Sequence, residues 1–195
     1  MIGYRFADLE ARGFTDQANV GENSWSKVWM ARPHTPVESA ALPARFQIRP
    51  LVSEDEVAAY VTLHRAVFQS NSMTVEWRKR TLQQPAYRPG LDLVVEAPNG
   101  DLAAFCVGWF AESGFDGRPT GQIEPMGVHE KYRQLGLART ILSEAIHRLQ
   151  TLGAQTVYVE TDNYRDAAFA LYEAVGFQVW KDVLVYRLDY GSVAA

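Results

Sequence analysis

The hexapeptide Arg133-Gln134-Leu135-Gly136-Leu137-Ala138 constrains this chain more than any other stretch. It follows a short apolar–polar run ending at Val128 and opens an amphipathic helix. That helix carries Leu137, Ile141, Leu142, Ala145, Ile146, Leu149 and Leu152 on one stripe and stops at Gly153. Gly136 removes a side chain where backbone must come close to a ligand, and Ala138 keeps the following turn small. The first-turn N–H groups of a helix have no intrahelical partners, and the macrodipole places partial positive charge beside them. A strand, a glycine loop and a helix start in this order form a cradle for a phosphate or pyrophosphate. Six residues alone fit an ordinary turn before a surface helix better than a phosphate site.

A second segment sharpens the reading. Thr156-Val157-Tyr158-Val159-Glu160 is strand-like, and Asn163, Ala168, Leu171-Tyr172 and Gly176-Phe177 follow it. In type and spacing the two segments together resemble the GNAT superfamily of acyl-CoA N-acyltransferases, over roughly residues 46–190. The resemblance implies a mixed α/β sheet of six or seven mostly antiparallel strands flanked by helices, with acetyl-CoA as cosubstrate. It implies that main-chain groups of Arg133, Gln134, Leu135, Gly136, Leu137 and Ala138 hold the pyrophosphate, with Arg133 and Arg139 as local positive charge. The backbone of Met126, Gly127 and Val128 is then expected to meet the pantetheine like an added strand. Asn163 matches the family's pantetheine-contacting asparagine in type. It stands two residues farther from Leu171-Tyr172 than is usual, and Arg165 occupies the expected place.

Acyl transfer to an amine makes three demands. The ammonium, with a pKa near ~10, must lose a proton. The oxygen that gains charge needs hydrogen-bond donors. The leaving thiolate benefits from a proton, because a thiol pKa of roughly 8.5 makes it only a fair leaving group. By the resemblance, Tyr172 is the candidate proton donor to the thiolate; the bland alternative is a tyrosine that packs beside Leu171. Glu124, in the strand ahead of the cradle, is the candidate base; the alternative is a solvated strand residue. Alternation puts Gln122, Glu124 and Met126 on one face and Ile123 and Pro125 on the other, with Pro125 hinting at irregularity. His129 reads as shaping the start of the loop.

Composition narrows the field. The 195 residues, 47% hydrophobic and 22% charged, suit a globular domain of ordinary size. A net charge of −4 gives no global field for nucleic acid or an anionic membrane. The single Cys106 sits in an apolar run, and the four histidines show no metal-ligand spacing, so no metal is expected. Met1 to Asp8 contains no apolar leader, which makes a cytoplasmic protein the expectation.

Residues 1–45 read as an N-terminal extension and 46–195 as the acetyltransferase domain. Glu10-Ala11-Arg12-Gly13-Phe14 echoes Glu173-Ala174-Val175-Gly176-Phe177. The extension therefore resembles the tail of a preceding GNAT repeat, although a chance helix–Gly–strand unit fits as well. Its strand, with Trp25, Val28, Trp29 and Met30, needs a partner, either the main sheet or a second subunit in a homodimer. Beyond it, Ser53 and Glu56 suggest a capping box. Val57, Tyr60, Val61 and His64 share a helical stripe, and Pro98-Asn99-Gly100-Asp101 is a hairpin turn. The acceptor is expected between Gln69–Arg88 and Glu112–Thr120. There Glu76, Glu112 and Asp116 would suit a cationic small-molecule or peptide amine, or simply be solvated, and Trp77, Tyr87, Trp109 and Phe110 are candidate lining residues. The expected function is transfer of an acetyl group from acetyl-CoA to a primary amine in a ternary complex. The alternative is a non-catalytic CoA-binding sensor or interaction domain.

Overall fold

Period-two stretches alternating with amphipathic helices must bury their apolar faces against each other, and here they do so around one sheet. The computed structural model describes residues 25–38, 40–51, 54–114, 116–162 and 165–185. The strands are β1 (Trp25–Pro33), β2 (Gln47–Pro50), β3 (Asp92–Glu96), β4 (Leu102–Ala111), β5 (Thr120–Val128), β6 (Thr156–Asp162) and β7 (Gln178–Val185). The helices among the described residues are α1 (Val57–Phe68), α2 (Val75–Leu82), α3 (Leu137–Thr151) and α4 (Asp166–Ala174). The sheet order is β2-β3-β4-β5-β6-β1-β7. Every neighbouring pair is antiparallel except β5–β6.

The central strands are buried on both faces, so they read as apolar runs rather than as clean alternation. Leu93, Val95, Cys106, Ile123, Val157 and Val159 pack with the α3 stripe of Leu137, Ile141, Leu142, Ala145, Ile146 and Leu149. Val94, Phe105 and Val107 form a separate core with Val57, Tyr60, Val61 and Leu63 of α1. The predicted stripe on α1 is therefore a core face, His64 included. Ser53 lies outside the described residues. Glu56 caps α1 without a side-chain hydrogen bond and pairs with Arg49 at 2.5 Å. The β3–β4 turn at Pro98–Asp101 is where the sequence placed it, with Gly100 at φ 85°.

The N-terminal strand finds its partner inside the chain. β1 lies between β6 and β7 and pairs antiparallel with both, Met30 opposite Val159 on one side and Val179 on the other. Val28 and Met30 enter the core. Arg32 is also buried, and its guanidinium donates to four carbonyl oxygens: Val175 at 2.7 Å, Thr35 at 2.8 Å, Pro36 at 2.8 Å and Pro33 at 3.1 Å. It thereby ties β1 and the chain that leaves it to the end of α4.

One local feature of the sheet prepares the site. β5 pairs with β6 only from Thr120↔Thr156 to Ile123↔Val159. Beyond Ile123 the described residues of β6 no longer pair with it, while β4 still covers the first edge as far as Ala104↔Val128.

Candidate active site

The cradle is built by backbone conformation. Gln134 (φ 63°) and Gly136 (φ 79°) are both left-handed, so the loop turns sharply into α3. Gly136 is the N-cap; a Cβ there would meet no neighbour, so the left-handed φ is what favours glycine. Thr140 closes the first turn, its N–H and its hydroxyl both donating to the Gly136 carbonyl at 3.1 Å. The first turn of α3 contains no acidic residue. Its free amides and partial positive charge therefore face an exposed loop, Arg133 to Gly136. Leu137 sends its side chain into the core and contributes main chain only. Arg139 is exposed and 3.8 Å from Glu38. His129 accepts from the Lys131 N–H at 3.2 Å and shapes the turn into the loop.

The open edge of β5 links this cradle to the candidate base. Gly127 is required here for packing, since a Cβ would stand 2.3 Å from a Val67 methyl of α1. Met126 and Val128 are half-buried beside it. Glu124 lines a cavity of about 940 Å³ together with Gln122 and Pro125, so the predicted alternation breaks at Pro125. The Glu124–Pro125 peptide is cis. Ile123 keeps its predicted place in the core.

Tyr172 of α4 is buried, with its ring 5.7 Å from that of Phe177 in an edge-on contact. Burial pushes its phenol up to about 12, and Cys106 and Glu124 add to this against Arg165. The phenol thus keeps its proton across the neutral range and stands within electrostatic reach of Glu124. Asn163 lies outside the described residues. Arg165, at its expected place, is exposed at the start of α4.

The large cavity opens between α1, α2 and β5. Its wall includes Tyr60, His64 and Phe68 from α1, Trp77, Arg80 and Thr81 from α2, and Trp109 from β4. A second cavity of about 450 Å³ adjoins it, sharing Ala86, Trp109 and Gln122 and adding Trp29, Phe110 and Tyr158. Of the aromatic candidates, Trp77 and Trp109 line the first cavity and Phe110 the second. Tyr87 instead donates its hydroxyl to Asp92 at 2.8 Å. Glu76, Glu112 and Asp116 line neither cavity; Asp116 pairs with Arg118 at 2.6 Å. Sequence reasoning missed Gln122, whose amide donates to the Glu124 carboxylate, and the buried Arg78–Asp92 pair. Same-face spacing on β5 could have exposed the first, and nothing in the spacing exposes the second. Among the described residues no group of side chains could hold a metal ion, and no helix is long and apolar enough to cross a membrane.

A seven-stranded mixed sheet, parted between a parallel pair and leading into a glycine-capped helix, matches known proteins. A profile of the Acetyltransferase (GNAT) family covers residues 57–177. The chain belongs to that family. It is 29% identical to a mycothiol acetyltransferase of Thermobispora bispora, over 87% of this chain and 60% of that protein. It is 32% identical to one of Kineococcus radiotolerans, over 70% of this chain and 44% of that protein. The chain thus spans 60% or less of the length of both relatives. Among solved structures, a GCN5-related N-acetyltransferase from Sphaerobacter thermophilus superposes with a TM-score of 0.71 at 21% identity, over 83% of this chain and 50% of that one. An aminoglycoside antibiotic 6'-N-acetyltransferase from Acinetobacter baumannii does so with a TM-score of 0.60 at 15% identity, over 75% and 99%.

Proposed function

We propose that this chain is an acetyl-CoA-dependent N-acetyltransferase acting on a primary amine bound in the large cavity. One observation carries the reading: the edge of β5 that β6 leaves after Ile123 runs from the cavity lined by Glu124 towards the cradle at the start of α3. A pantetheine arm laid along that edge would have backbone partners, and a pyrophosphate would meet free amides with no acid in the first turn. Acetyl-CoA supplies the activated thioester. Glu124 takes the proton that the acceptor ammonium must lose, directly or through water. A main-chain N–H of Met126 to Val128 meets the thioester oxygen as charge develops on it. Tyr172, protonated up to about 12, returns a proton to the leaving thiolate. No protein side chain need carry the acetyl group.

The acetyltransferase unit is residues 46–195, and residues 1–45 are an extension whose strand completes the sheet. The mycothiol acetyltransferases among its relatives put the acceptor of mycothiol acetylation first in an amine screen. Calorimetric titration with acetyl-CoA and with CoA tests the reading. Micromolar binding is expected, with a loss of at least about tenfold in Gly136→Glu, which places a carboxylate in the cradle. Folded protein that binds neither compound would overturn it. Binding without turnover of any amine would leave a CoA sensor.

A further inference from the structure

Helix α2 rests Val75 and Leu82, both half-buried, against the α1 core and sends one further side chain fully inside. Of its eight residues only Arg78 is buried, while Trp77 beside it is 51% exposed. The Arg78 guanidinium donates to Asp92 Oδ2 at the start of β3 and lies over the Tyr60 ring of α1, 3.8 Å from its centroid. Tyr87, in the segment after α2, donates to the same carboxylate oxygen at 2.8 Å. Arg78 Nε and Asp92 Oδ1 find no hydrogen-bond partner among the described residues. The polar part of the anchor therefore consists of these few contacts.

A buried ion pair is an expensive way to fasten a helix, because both charges leave water; an apolar side chain would do it at lower cost. What the pair adds is direction. A planar guanidinium fixed by a carboxylate on its edge and a ring on its face admits one orientation. Trp77, Arg80 and Thr81 share a helix turn with Arg78, and all four line the cavity that Glu124 also lines. Whatever orients Arg78 orients them.

We propose that Arg78 is the positioning residue of the acceptor site: its pairing with Asp92 sets where the α2 wall stands relative to Glu124. The proposal rests on reading the large cavity as the acceptor site. Nothing in it requires Arg78 to touch either substrate.

Arg78→Lys keeps the charge and loses the fork, and Asp92→Asn keeps the shape and loses the charge. In each, amide hydrogen exchange over residues 75–82 is expected to accelerate at least about tenfold while α3 stays protected. The Michaelis constant for the best amine of the screen should rise about tenfold, more than kcat falls, with acetyl-CoA affinity within about twofold of wild type. The pair Arg78→Met with Asp92→Leu restores an anchor without direction, so protection of α2 should return while the amine constant stays high. Exchange that rises equally in α2 and α3 would make Arg78 a general core staple and overturn the proposal. So would a loosened α2 with an unchanged amine constant. The exchange measurement needs neither acetyl-CoA nor an amine. A wild-type protein that fails to bind CoA would count against the acetyltransferase reading and leave the exchange result to decide the anchor.

Discussion

The Gln122 side-chain amide donates to the carboxylate of Glu124, Nε2 to Oε2 at 3.0 Å, from the neighbouring same-face position of β5. The indole of Trp109 holds the same residue from behind, Nε1 to the Glu124 carbonyl at 2.7 Å. A carboxylate that is to take a proton works only in the rotamer that meets the amine. Gln122→Leu is expected to lower kcat/KM by about 10–100-fold, the worth of a hydrogen bond to a charged group. Glu124→Gln should cost more, on the order of 10²–10⁴. Steady-state kinetics with a fixed amine checks both, and an inactive Glu124→Gln beside an unaffected Gln122→Leu would remove the positioning role.

Tyr172→Phe should lower kcat by about 10²-fold or more, since the leaving thiolate loses its proton donor. Acetyl-CoA affinity should hold, because the ring remains. The phenol sits at about 12 against an ordinary 10.0, so the native state holds its proton more tightly than the unfolded chain does. Its contribution to stability is complete below pH 10.0 and is lost as pH rises towards about 12. Thermal melts across that window should fall more steeply for wild type than for Tyr172→Phe.

His64 lies between Phe68, at 4.7 Å between ring centroids, and Phe105, stacked at 5.5 Å. Burial, helped by Arg78, lowers its pKa from 6.5 to about 4. Here the unfolded chain binds the proton first. The stability gained by keeping the imidazole neutral is present above pH 6.5 and disappears as pH falls to about 4. His64→Leu should therefore lose less melting temperature than wild type between those two values.

Arg32→Met removes four donations to main-chain carbonyls while keeping most of the buried stem. A loss of about 1–3 kcal/mol is expected, because the Val175 carbonyl loses its buried donor, while those of the exposed Pro33, Thr35 and Pro36 can turn to water. Denaturant unfolding measures this, and Arg32→Lys should recover only part of it.

Much of this was legible from residue pattern. The stripe from Leu137 to Leu149 and the Pro98–Asp101 turn were both readable, because a periodicity of 3.6 or a turn dipeptide reports its own local structure. Glu124 came from the family resemblance and its place in the strand ahead of the loop; that it stands on a cavity wall is visible only in the fold. What could not be read depends on distant partners. Trp25–Pro33 plainly needed a neighbour, but alternation says that a strand pairs and not where, so its slot between β6 and β7 was open. Arg78 sits in a mostly polar octapeptide, between Val75 and Leu82 on the face that meets the core, and only the fold brings Asp92 beneath it. The acids Glu76, Glu112 and Asp116 looked suited to a cation because composition carries no direction, and in the fold none of them lines either cavity.

The slot taken by β1 also sets an order of events in folding. Its two partners, β6 (156–162) and β7 (178–185), come far later in the chain, so among the described strands the first to be made must wait for the last. Such pairings close the longest loops and contribute late, which slows folding. Until β1 docks, β6 lacks its neighbour on that side, and an open strand edge is a template for another chain. Refolding of this protein should therefore show a concentration-dependent loss to aggregates, relieved by a peptide spanning Trp25 to Pro33 supplied in trans.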